Sequence, residues 1–151
     1  MKTAKYFTIV FAVLILFATT IDAQGISLTN PIVKEKYSTI EANLVHGLKT
    51  DVEGLKISCA YYLGELKSHK AVLPLMEILR SDDSYPARII AALSLIKIDD
   101  PQGVYMVKRT AQFNDQDGVR KMSEKFYLSY LWQKYLEQNP EKAIDLSFVQ
   151  F

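Results

Sequence analysis

From Leu55 to Leu79 the chain alternates apolar and polar positions at helical spacing, stops at the polar bend Gly64–Lys70, and starts again. Displaced by 32 residues the pattern returns. Ile57 falls on Ile89, Ala60 on Ala92, Leu63 on Leu95, Leu66 on Ile98, Val72 on Val104, Leu75 on Val107 and Asp83 on Asp115. A matched series of that length marks an internal repeat of a two-helix unit.

The remaining elements fall around it. Residues 24–37 contain a proline and little periodicity, which predicts an extended arm. Ser38 and Glu41 have the spacing of a capping box and open a helix whose apolar face is Ile40, Leu44, Val45 and Leu48. Thr50 and Glu53 repeat that signal before a helix with Leu55, Cys59, Tyr62, Leu63 and Leu66 on its core face, and Gly64 allows close approach near its end. Ala71 opens the partner helix, where Pro74 is tolerated in a first turn that has spare N–H groups, and Val72, Leu75, Met76 and Leu79 face inward. Pro86 sits at the first position of the next helix with Ser84 or Tyr85 as its cap, and Asp99-Asp100-Pro101 ends it. Its partner carries Val104, Val107, Lys108 and Ala111. Asp117 is a cap for a long helix running to Gln138, with Val119, Met122, Phe126, Tyr127, Tyr130, Leu131 and Leu136 as its stripe. Trp132 and Tyr135 are expected to close the end of the stack. Residues 139–151 form a tail, in which Glu141 to Phe151 is read as a short strand or a docked coil.

Composition changes this picture in two respects. Lys2 and Lys5, the apolar run from Phe7 to Phe17 and the small residues before Gln24 have the layout of a secretory signal peptide over residues 1–23, too short for a span of roughly 20 apolar residues. An exported protein, periplasmic or extracellular, is expected. Without Lys2, Lys5 and Asp22 the chain holds 16 basic and 16 acidic residues, and it has no basic cluster of the kind nucleic acid or an anionic membrane requires. The single cysteine, Cys59, permits no internal disulfide and lies at an alanine-like packing position.

The segments Leu55–Leu66, Ala71–Met76 and Ser81–Asp83, with the second copy Ala87–Leu95, resemble HEAT repeats of the short variety first described in phycobilisome lyases. The basic column Lys56, Arg88, Arg120 and the small pairs Cys59-Ala60 and Ala91-Ala92 are similar to recurring features of that family. The resemblance spans about Ile40 to Leu131. It implies an all-α, right-handed solenoid of about three repeat equivalents over residues 38–138, built from antiparallel helix pairs and acting as a protein-binding or assembly scaffold. The third copy has Ser123-Glu124 in place of the small pair, which leaves open whether it is a full repeat or a cap.

Candidate chemistry is sparse. Iron-dependent members of this fold bind metal through His-Glu pairs, whereas His46 precedes Gly47 and His69 precedes Lys70 here. The pairs Asp82-Asp83 and Asp99-Asp100 lack the ligand alternation of a calcium loop. No catalytic residue, metal or cofactor is assigned. The alternatives to a scaffold are a small lyase-like enzyme with an unrecognised pocket and a structural subunit of an oligomer. In HEAT-like stacks the second helix of each pair lines the concave side. That implies a partner-binding row Leu73, Glu77, Arg80 and, 32 residues on, Tyr105, Arg109, Gln112.

Overall fold

The computed structural model describes residues 31–145, and the chain divides into units 1–37 and Ser38–Phe151. The expected signal peptide and the first part of the arm lie outside the described residues, as does the tail beyond Asp145. The described residues are helical, with no strand among them: α1 (Pro31–Gly47), α2 (Glu53–Glu65), α3 (Val72–Ser81), α4 (Tyr85–Ile98), α5 (Pro101–Phe113), α6 (Asp117–Gln138) and α7 (Pro140–Asp145). A 3-10 turn, His69–Ala71, leads into α3. None of these helices is long and apolar enough to cross a membrane.

Within the second unit α2 packs on α4 and α4 on α6, while α3 packs on α5. Helix α4 also touches α3 and α5 and so stands at the centre. The 32-residue register reappears as shared burial. Leu63 and Leu95 are completely enclosed, as are Leu75 and Val107, and Ala60 and Ala92 lie beside them. Even the helix ends repeat. Lys67 and Asp99, which follow α2 and α4, are the two non-glycine residues with positive φ among the described residues (50° and 62°), the left-handed conformation that turns a chain out of a helix. Ser68 N–H then donates to the Leu63 carbonyl at 3.0 Å, closing the end of α2.

Small groups set the spacing of α2 and α4. Gly64 is buried against Ser94, whose hydroxyl donates to the Ala60 carbonyl at 2.7 Å. A Cβ at Gly64 would lie 2.8 Å from Ser94 Cα, Cβ and Oγ, so the close approach expected at this glycine is present.

The basic column acts at helix ends. Arg88, nearly enclosed, donates Nε to the Leu79 carbonyl at 3.0 Å, and Arg120 donates to the Asn114 carbonyl at 3.1 Å. Each guanidinium satisfies acceptors at the C-terminal end of the preceding helix. Lys56 breaks the series, reaching Asp82 at 2.6 Å. Burial alone would raise the Asp82 pKa, but the bonds from Lys56 and the Ser84 amide, with Lys56 and Arg88 close by, hold it below the usual carboxylate range.

Several expectations need correction. Helix α1 begins at Pro31, so residues 31–37 are helical where an arm was expected, and Ser38 lies inside the helix. Glu41 caps nothing. It is buried, accepting from Ser68 Oγ at 2.6 Å and from Lys70 Nζ at 2.7 Å. Val52 occupies the N-cap of α2, with Thr50 Oγ1 accepting its N–H, and Glu53 bonds instead to Ser84. Gln116 occupies the N-cap of α6, because Asp117 pairs with Arg120 and Lys121. Ser84 does cap α4, accepting from the Ala87 amide at 3.1 Å. Residues 140–145 are helical, neither strand nor coil. Ile40, Leu55, Tyr62 and Leu131 are exposed. So are Trp132 and Tyr135, which stack on each other with ring centroids 5.6 Å apart. In α5 the buried residues are Gly103, Val107 and Thr110, and Lys108 points to solvent.

Candidate interaction surface

Helix α3 buries Val72, Leu75, Ile78 and Leu79. Helical spacing then puts Leu73, Glu77 and Arg80 on the opposite side, and all three are exposed. In α5, burial of Gly103, Val107 and Thr110 likewise leaves Tyr105, Arg109 and Gln112 outward. Because α3 packs on α5, the two rows share one face.

Between them runs an open groove of about 710 Å³. Met76 and Met106, both partly buried, contribute apolar lining, joined by Leu73 and Phe113, and Arg80 and Arg109 flank it. Arg109 and Phe113 also belong to an adjoining hollow with Tyr105, Lys108 and Gln112. All six residues of the expected row therefore line one of two adjoining depressions, with Glu77 in the first.

The face holds large apolar side chains that stand open to water. Phe113, Leu73 and Tyr105 are 77 %, 68 % and 63 % exposed, and only Val52 among the large exposed hydrophobics of the described residues falls in the same range. Its charges are also unspent. Among the described residues no acid pairs with the side chains of Arg80, Lys108 or Arg109, whereas Lys56, Lys70, Lys97 and Lys134 all hold carboxylates.

Sequence reasoning missed Phe113 and Met106. Thirty-two residues before Phe113 stands Ser81, a polar helix-end residue, so the repeat offered no hint of an exposed ring there. Met106 lies 30 residues after Met76, and the shift by 32 paired Met76 with Lys108 instead. Simple helical spacing carried the signal, since Tyr105, Arg109 and Phe113 follow each other at intervals of four.

Elsewhere polar groups bond to one another. Asp99 accepts from Tyr130 Oη and Lys134 Nζ, each at 2.8 Å, and the Lys134 bond in particular holds its carboxyl below the usual range. Lys97 pairs with Glu65 and lies 4.6 Å from the centre of the Tyr61 ring. His46 is exposed, and the exposed His69 has Nδ1 3.4 Å from Asp100. Among the described residues no three His, Cys, Asp or Glu side chains gather as a metal site. Cys59 is buried, and burial pushes its thiol pKa up, the reverse of what a nucleophile needs. No family model matches the chain, and no curated protein matches it.

Proposed function

We propose that this protein is an exported HEAT-like helical-repeat scaffold that binds a partner protein through the face shared by α3 and α5. The observation that carries the reading is the convergence of Leu73, Tyr105 and Phe113 with two guanidinium groups that hold no acid among the described residues, all on one surface. Holding large apolar side chains in water is unfavourable by about 25 cal/mol per Å² of apolar area, and aromatic and arginine side chains dominate binding energy at protein contacts. Support for a HEAT-like stack comes from the 32-residue register in burial and helix ends, and from the rows α2–α4–α6 and α3–α5.

Cross-linking in the native host followed by mass spectrometry identifies the partner. A Tyr105→Ala, Arg109→Ala double variant is expected to keep its helicity and thermal transition while losing capture by at least about tenfold, equivalent to 1.4 kcal/mol. Unchanged capture by the folded variant rules this face out. A second reading, a structural subunit of an oligomer, draws on the exposed Leu128, Leu131, Trp132 and Tyr135 of α6. Light scattering tests it: a monomer at all concentrations removes it.

A further inference from the structure

We infer that the partner enters the α3–α5 groove as an amphipathic helix whose apolar stripe is flanked by carboxylates. This rests on the reading of that face as an interaction surface, and adds the chemistry of what it accepts.

Backbone chemistry argues for a helix. An extended peptide that docks by strand addition gains its affinity by pairing its N–H and C=O groups with a free strand edge. The described residues contain no strand, and the amides of α3 and α5 are committed to their own helices. A segment desolvated in this groove must satisfy its own backbone, which a helix does. The dimensions agree. Helices of 10 and 13 residues extend for roughly 15 and 20 Å, enough to seat three turns of a third helix against them.

The lining sets the stripe. Met76 and Met106 are unbranched and polarizable, and such side chains adapt to apolar knobs of different shape. Leu73 and Phe113 add exposed apolar surface that would be covered on binding. The flanks are set by charge. Arg80 on one side and Lys108 and Arg109 on the other lack an acid among the described residues, and of the residues lining these two depressions Glu77 alone carries a carboxylate. A guanidinium can hold a carboxylate through two parallel hydrogen bonds, so acidic residues beside the stripe would complete these groups. A lysine-flanked helix would meet three cations.

The probes are two fluorescein-labelled synthetic helices of about 18 residues (~27 Å) with the same leucine stripe, one flanked by glutamate and the other by lysine. Anisotropy titrations of the full chain are expected to favour the glutamate peptide by at least about tenfold, and raising salt from about 0.05 to about 0.5 M should erode that preference. An Arg80→Glu, Arg109→Glu variant, altered only at exposed positions, is expected to reverse it. Equal or tighter binding of the lysine peptide overturns the proposal, as does a glutamate peptide indifferent to the charge reversal. So does sedimentation with phosphatidylglycerol–phosphatidylcholine vesicles without binding of either peptide, which would assign the face to a membrane. If neither peptide nor vesicle binds while Tyr105→Ala, Arg109→Ala still loses its cross-link in the host, the interaction surface stands and the acidic helix is withdrawn. If the cross-link survives as well, both fall.

Discussion

A methyl group added at Gly64 measures how much of this fold depends on the approach of α2 to α4. The new Cβ of Gly64→Ala would lie 2.8 Å from Ser94 Cα, Cβ and Oγ, and the first of these is backbone, which no rotamer change can move. The helices must part, with an overpacking cost of about 1–3 kcal/mol. Parting them also threatens the buried 2.7 Å bond from Ser94 Oγ to the Ala60 carbonyl, a further ~1 kcal/mol. Against this, alanine is favoured over glycine inside a helix by roughly 0.5–1 kcal/mol. The net expectation is a loss of about 1–3 kcal/mol. Gly54 is the internal control, because it lies in the same helix and a Cβ there meets nothing within 4 Å. Gly54→Ala should therefore gain about 0.4–1 kcal/mol. Urea unfolding followed by circular dichroism compares the two, with unchanged slopes required so that midpoints report stability. Ser94→Gly introduced into Gly64→Ala should recover only part of the loss, since the new methyl still meets the α4 backbone. Equal stability of the two alanine variants would refute a close α2–α4 packing at this point.

Leu63→Ala and Leu95→Ala should each cost about 2–5 kcal/mol in the same assay, since both side chains are fully enclosed at equivalent positions; a loss below about 0.5 kcal/mol at either would break the repeat register. Ser123 Oγ is buried with no hydrogen-bond partner among the described residues, so Ser123→Ala should leave stability unchanged or raise it by up to about 1 kcal/mol, and a clear loss in thermal unfolding would reveal a partner. The Glu41 carboxyl is held below its usual pKa first by the bond from Lys70 and then by that from Ser68. Its folded-state pKa is thus depressed. The stability it contributes is present above the unfolded value of about 4.3 and is lost as pH falls through the lower folded value. Glu41→Gln should flatten that acid limb in a series of urea titrations, and a limb identical to the parent's would remove Glu41 from this role.

The 32-residue periodicity made the enclosed positions legible. Leu63, Leu95, Leu75 and Val107 are fixed by burial alone, and burial is what apolar spacing reports. Helix starts were less legible wherever a capping residue had a tertiary competitor. Glu41 and Glu53 have the spacing of capping-box acceptors, yet Ser68, Lys70 and Ser84 take their oxygens from elements 27 to 31 residues away. Local spacing cannot reveal such a rival. The outward rows of α3 and α5 followed from helical geometry once the inward rows were known. Met106 and Phe113 were passed over because the shift by 32 sets Phe113 on Ser81 and Met76 on Lys108, so the repeat concealed what helical spacing alone would have shown.

The position of α4, packed against α2, α3, α5 and α6, also has a consequence for motion. Its amides can exchange with solvent only when four neighbouring helices loosen, whereas α7 packs chiefly on α6. Local opening should therefore become less costly from the middle of the chain outward. In deuterium exchange read by mass spectrometry, Ala91 to Leu95 should be the last segment to label, at the rate of global unfolding, and Pro140 to Asp145 among the first. The side-chain bridges between α2, α4 and α6 join residues 31 to 35 apart, so each of these links closes a loop of about one repeat period. That closure costs chain entropy before the contact repays it, and the helix that labels last is the natural place for folding to begin.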